Sequence, residues 1–274
     1  MDSQSLFDNL EQLPSIPSVL QGLIKAFEHN EVDMMAVAKM ISLDQIFSAK
    51  VLNMANSAYF GRGRAVASTE DAVIRLGANT IRNLVMASGV SQAFSQYKQV
   101  EQQTFWFHTL YVATIAKALA KQAKSSPSTA FSCAMLHNLG DLLIRVAMPE
   151  QSQQMAAKIS NESDRAYQQQ QILGFSYVDV GAELAKRWNF SKLFQTAIHR
   201  QLDPISSRPF NHQAGYIHLA VLLASGWQNN LSNEAINAEL DEVLLQWLKL
   251  NPVEILTVQA QSKEEADSLM QILQ

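Results

Sequence analysis

Apolar residues recur at the i, i+3, i+4, i+7 spacing through most of the chain. Leu20, Leu23, Ile24 and Phe27 follow it, as do Val112, Ile115, Ala116 and Leu119, and Leu139, Leu142, Leu143 and Val146. It returns at Ile217, Ala220, Val221 and Ala224, at Leu240, Val243, Leu244 and Trp247, and at Ala266, Leu269, Met270 and Leu273. Each set forms one apolar stripe at 3.6 residues per turn, so each predicts an amphipathic helix. Sustained period-2 alternation rich in β-branched residues is absent, and no strand is predicted. The expected class is all-α and multi-helical.

Polar residues punctuate these stripes. Asp33 is placed to cap "MMAVAKMI", Ser191 to cap "KLFQTAIH", and Ser68 with Asp71 has capping-box spacing before "AVIRL". Pro14, Pro17, Pro127, Pro149, Pro204, Pro209 and Pro252 fall between periodic segments, where a missing N–H does no harm. "YFGRGRAVAS" (59–68), "KSSPS" (124–128) and "PISSRPFNH" (204–212) read as loops, and "SQYKQVEQQ" (95–103) as a polar boundary between two halves. The predicted halves are 1–98 and 99–274. Trp106, Trp188, Trp227 and Trp247 are all expected on helices and in the core.

Composition narrows the class. With 47% hydrophobic and 17% charged residues over 274 positions, there is ample material for a core, which excludes a disordered chain. No apolar run approaches the ~20 residues of a membrane helix, so no membrane association is expected. The start, "MDSQSLFDNLEQLPSIP", has no basic stretch leading into an apolar one, so no secretory signal is expected. A single cysteine, Cys133, excludes an intrachain disulfide and a cysteine-rich zinc site. Together these point to the cytoplasm. A net charge of −4 argues against generic nucleic-acid binding.

Six histidines are the main candidates for chemistry: His29, His108, His137, His199, His212 and His218. His29 and His212 fall in predicted loops. His137 and Asp141, in "AMLHNLGDLLI", are four apart and predicted to share a helix face. They could ligate one cation, or Asp141 could be solvated or bonded to His137. Two ligands fall short of the three that a catalytic metal needs. No nucleophile elbow or phosphate-binding glycine loop is present. Cys133 is expected inside an apolar helix, where a thiol is inert. Arg62 and Arg64 in "GRGR" are candidates for anion binding.

Several segments resemble a known family in the right order. "LPSIPSVLQGLIKAF", "MMAVAKMISLDQIFSAKVLNMANSAYFG" and "VASTEDAVIRLGANTIRNLVMA" look like the HDOD (HD-related output domain) family, with "ANSAYFG" the most specific part. The similarity continues through "FWFHTLYVATIAKALA", "AMLHNLGDLLI", "LGFSYVDVGAELAKRWNF" and "IHLAVLLA". The resemblance implies an N-terminal helical half packed on a degenerate HD-like half. It is related to HD and HD-GYP phosphohydrolases, which hold metal through histidines and aspartates on several helices. Carried over by position, His108 matches the first histidine and His137 the histidine of the His-Asp pair. Asn138 replaces the aspartate of that pair. Tyr177 stands where a histidine is common, Gln201 and Leu202 fall on paired histidines, and Val221 occupies the place of the final aspartate. Asp141 replaces a lysine that commonly follows the glycine. An alignment shift of a residue or two would bring in His199 or His218 and would restore neither Asn138 nor Val221.

The resemblance therefore implies a non-catalytic bacterial signal-transduction module with no cofactor and no bound metal. It would act through a signalling protein partner, with no attached output domain evident in the chain. The alternative is a metal-dependent HD-type phosphohydrolase acting on a nucleotide or phosphoester, using His108, His137 and Asp141 with His199. A third reading is a sensor without turnover, holding a nucleotide through Arg62, Arg64, Arg75 or Arg82.

Overall fold

A computed structural model describes residues 6–7, 14–27, 32–57, 59–61, 65–95, 102–156, 158–159 and 161–273. The described residues form helices and connections, with no strand among them. They fall into two compact units. One unit joins Pro14–Gln96 to Lys263–Gln274, and the other joins Met1–Leu13 to Tyr97–Ser262.

The first unit holds α1 (Ser18–Ala26), α2 (Met34–Ser42), α3 (Gln45–Ala55) and α4 (Thr69–Ala93). Asp33 caps α2 by accepting from Met35 and Ala36 N–H, and Ser68 caps α4 by accepting from Asp71 N–H, as expected. Helices α1, α2 and α3 all pack on α4. Gly77 interrupts α4 with φ 75° and ψ 165°, a backbone conformation open to glycine and strained for other residues. The loop after α3 is pinned by Asn56, whose Nδ2 donates to Val66 O while Val66 N–H donates to Asn56 Oδ1, both at 2.9 Å. The family-like "ANSAYFG" segment thus contains an asparagine that closes its own loop. The C-terminal residues join this unit through buried Ala266 and Leu269 and through Lys50 Nζ, which donates to Leu273 O.

The second unit holds α5 (Gln102–Gln122), α6 (Pro127–Ala134), α7 (Leu139–Ala147), α8 (Pro149–Ala156), α9 (Glu162–Leu173), α10 (Tyr177–Arg187), α11 (Lys192–Arg200) and α12 (His212–Gln228). Short helices α13 (Asn233–Ala238), α14 (Glu242–Leu248) and α15 (Pro252–Ile255) follow, then a 3-10 turn and α16 (Gln259–Leu273), which runs across the boundary into the first unit. Pro127, Pro149 and Pro252 each open a helix, where the lost N–H has no partner to miss. Helices α5, α6 and α12 pack together, as do α7, α10 and α11. Leu6 and Phe7 are buried in this unit, and the Arg187 guanidinium lies 4.4 Å over the Phe7 ring.

Three local expectations change. Ser191 precedes α11 but makes no side-chain cap bond. Trp188 lies just past α10 and is only half-buried, because the helix ends at Arg187 and Asn189 follows with φ 58°. Trp247 is half-buried on α14, with its ring against Phe210 and under Arg208. Trp106 and Trp227 are core residues as expected.

Candidate functional site

The "LHNLGD" segment straddles a break between two helices. α6 ends at Ala134, residues 135–138 form a turn, and α7 begins at Leu139. His137 therefore precedes the helix that carries Asp141, and the two do not share one helix face. His137 is 1% exposed, and its Nδ1 donates to Ala134 O at 2.6 Å. Burial, then the neighbouring His108 and Arg165, hold its pKa down to about 3, against the opposing pull of the Ala134 carbonyl. It is a neutral imidazole throughout the physiological range. The His108 ring lies 6.0 Å away between centroids, with its Nδ1 2.8 Å from Gln228 Oε1.

Asn138 is the residue before α7 and is buried. Its Nδ2 donates to Thr109 Oγ1 at 3.0 Å, and the Thr109 hydroxyl donates to Phe105 O on its own helix. The amide ties the turn to α5, a role for which a carboxylate lacks the donor.

A cleft of about 430 Å³ opens beside this turn, with Tyr177, Gln201, Leu202, His218 and Val221 in its wall. Four of the positions carried over from HD enzymes therefore come together, joined by His218. Gln201 is buried and used structurally: its Nε2 donates to His137 O and Ile198 O, and His218 Nδ1 donates to Gln201 O at 2.8 Å. His199 does not reach the cleft. It is exposed on α11, with Nε2 3.2 Å from Asp179 Oδ1, and that contact is the main reason the Asp179 carboxyl is held at about 2.

Asp141 lies elsewhere in the same unit. It is 4% exposed, and every oxygen is engaged. Oδ2 accepts from Arg145 Nε at 2.7 Å and Arg165 Nη1 at 3.0 Å, and Oδ1 accepts from Gln169 Nε2 at 2.9 Å. Gln169 Oε1 in turn accepts from Tyr177 N–H at 2.7 Å. Asp141 is thus neither solvated nor bonded to His137. Between it and the turn sits Gly140, where a Cβ would stand 2.0 Å from Tyr177 O and 2.6 Å from Gly181 N. The glycine lets α7 and α10 touch backbone to backbone.

Sequence reasoning missed Thr109, Arg165, Gln169 and the packing role of Gly140. Only the last left a local signal, a glycine inside an apolar helical stripe. Arg62 and Arg64 lie outside the described residues. Arg82 donates to Phe27 O and lies over the Phe27 ring, and Arg75 donates to Ala55 O at 3.5 Å, so both brace the first unit. Cys133 is fully buried, and burial pushes its thiol far up.

The HD relationship implies a divalent metal, and these residues do not fit one. Among the described residues no three of His, Cys, Asp and Glu gather to hold an ion. Leu202 and Val221 offer carbon to the cleft, Asn138 is spent on Thr109, and the Asp141 carboxylate faces two guanidinium groups.

The fold and this cleft define an all-helical protein of HD-like architecture. A family model described as the HDOD domain matches residues 13–204, and the chain belongs to the HDOD family. It is similar to a proposed phosphohydrolase from Shewanella amazonensis, 28% identical, with 98% of each chain covered and a TM-score of 0.82. It is also similar to an HDOD domain protein with unknown function from Geobacter sulfurreducens, at 21% identity, 97% and 96% coverage and a TM-score of 0.81. An uncharacterized protein of Treponema pallidum is 28% identical over 190 residues, which span 68% of this chain and 36% of that relative.

Proposed function

We propose that this HDOD protein is a non-catalytic regulatory module that works in bacterial signal transduction by binding a signalling protein. The observation that carries this reading is the chemistry of the ancestral cleft. Two ligand positions are apolar, at Leu202 and Val221, a third is the amide of Asn138, and the Asp141 carboxylate is paired with two arginines outside the cleft. Metal affinity depends on the number and charge of the ligands, and such a set retains neither. The lone buried cysteine is in keeping with a cytoplasmic setting. No helix among the described residues is long and apolar enough to cross a membrane.

One observation favours metal-dependent phosphohydrolysis instead. The 28% identical Shewanella protein is a proposed phosphohydrolase, and His108 and His137 lie here with ring centroids 6.0 Å apart, while His218 lines the cleft. Both readings meet in one experiment. Protein purified without chelator is analysed for divalent metal and assayed against phosphomonoesters, phosphodiesters and nucleotides with added manganese. The expected result is metal well below one ion per chain and no turnover. A stoichiometric ion, with turnover that disappears in His218→Gln, would reverse the assignment.

A further inference from the structure

We infer that the cleft of about 430 Å³ is a site for a small primary amine with an apolar body, bound as its ammonium ion. The site rests on the reading above that the cleft holds no divalent metal, and it names a ligand that the cleft does fit.

The wall is negative. It contains no lysine and no arginine among the described residues, and its one carboxylate is Glu239. Glu239 directly follows α13 and is exposed, and its carboxylate has no cation and no hydrogen-bond donor among the described residues. The fold fixes its place: a Cβ at Gly226 on α12 would stand 2.8 Å from the Ile236 side chain on α13, so the two helices meet at close range beside the cleft. Ser225, Gly226 and Asn229 bring the end of the 17-residue α12 into the same wall. A helix C-terminus carries about half a negative charge. A phosphate or carboxylate would meet like charge here, and a cation would not.

The polar groups of the wall that remain open accept hydrogen bonds. His218 Nδ1 donates to Gln201 O at 2.8 Å. That bond sets the tautomer of the neutral ring, so Nε2 presents a lone pair, and no donor among the described residues takes it. An ammonium group has three donors and no acceptor, which suits a wall offering a carboxylate and an imidazole lone pair. A divalent ion is not served, because one imidazole and one carboxylate fall short of the three protein ligands it needs. Leu202, Val221 and Leu222 supply carbon to the rest of the wall, and an apolar body would cover them. The volume lies at the low end of small-molecule sites, which suits a body of about one ring.

2-Phenylethylamine, 2-phenylethanol and 3-phenylpropanoate carry the same ring on a positive, a neutral and a negative end. Each is titrated calorimetrically into the full chain, freed of metal, at fixed ionic strength. The amine should bind saturably and about fivefold or more tighter than the alcohol, and the propanoate should not bind. Glu239→Gln should lower the amine to about the affinity of the alcohol. Its carboxylate has no internal partner to lose, so the unfolding midpoint without ligand should stay in place. Glu242→Gln removes a carboxylate outside the wall and should bind the amine as wild type does. The site is refuted if wild-type protein shows no saturable amine binding into the millimolar range, if the alcohol or the propanoate binds as tightly as the amine, or if Glu239→Gln binds the amine as wild type does. One divalent ion per chain in protein purified without chelator would overturn the metal-free reading of the cleft and this site with it. Metal-free protein that ignores the amine would overturn this site alone.

Discussion

The cleft around His218 and the cluster around Asp141 lie in one unit, yet they handle polar chemistry in opposite ways. In the first, Leu202 and Val221 present carbon to the wall, and Gln201 turns inward to hold His137 O. In the second, the Asp141 carboxylate is clamped by Arg145, Arg165 and Gln169. The second region concentrates charge that the first does not. Gln169 joins them, donating to Asp141 and accepting from the Tyr177 N–H at the wall of the first cleft. The difference teaches that retained sequence and retained chemistry are separate matters. "LHNLGD" keeps its outline while its histidine holds a turn and its aspartate serves another cluster.

Gly140 supports both regions, so replacing it should have the largest effect. Gly140→Ala would drive a Cβ to 2.0 Å from Tyr177 O, which side-chain rotation cannot relieve. Separating α7 from α10 would displace both Asp141 and Tyr177. The expected cost is about 3 kcal/mol or more, seen as a large fall in the urea midpoint or as failure to fold. A midpoint within experimental error of wild type would show that the two regions do not depend on this helix contact.

Asp141→Asn comes next and separates the two regions. It keeps the shape and removes the charge on which two arginines converge. Arg145 is 42% exposed and can turn to water, which limits the loss. A destabilisation of about 2 kcal/mol is expected. The first cleft should be unaffected, read from an unchanged environment of His218 by NMR. A shifted His218 signal would mean that the Gln169 bridge couples the two regions more strongly than their separate chemistry indicates.

Much of this was legible beforehand for a physical reason. Helix stripes are local, so Leu139, Leu142 and Leu143 could be read as a buried face, and all three are buried. Asp33 and Ser68 cap through N–H groups two or three residues away, which spacing reveals. The partners of Asp141 could not be read in this way. Arg165 and Gln169 are 24 and 28 residues further on and meet Asp141 only because α9 folds back. The placement of His137 on a helix failed for a local reason: the chain breaks helical geometry at Asn138, with φ −114° and ψ 7°. Periodicity counts apolar positions and is silent about a four-residue turn that preserves their phase.

The third effect is a pH slope from His137. Its pKa is about 6.5 unfolded and about 3 folded, so between those values the unfolded chain binds the extra proton. Stability is complete above pH 6.5 and is lost as pH falls toward 3. The groups nearest it, His108 and Arg165, are basic and reinforce that direction. In His137→Phe the bond to Ala134 O is gone and the variant starts less stable, but this slope is gone too. The stability gap between wild type and variant should narrow by about 1.4 kcal/mol for each pH unit below 6.5. A constant gap across that range would show that His137 is not held neutral.

Asn138→Asp carries the smallest effect and bears most directly on the proposed loss of catalysis. It restores the His-Asp pair by name. At this position Nδ2 donates to Thr109 Oγ1, and the Thr109 hydroxyl can turn from Phe105 O to a carboxylate, so the bond is exchanged and not merely lost. A cost of about 1 kcal/mol at neutral pH is expected. Burial raises the pKa of the introduced carboxyl above its unfolded value. The folded variant then binds more protons than the unfolded chain, so the penalty is full at neutral pH and shrinks as pH falls. That slope is opposite to the one from His137, so the variant should be flatter in acid than wild type. Manganese sharpens the comparison. If a carboxylate were all that the first cleft lacked, added manganese would raise the unfolding midpoint of Asn138→Asp above that of wild type. With Leu202 and Val221 still in the wall, the two midpoints should not respond to the ion.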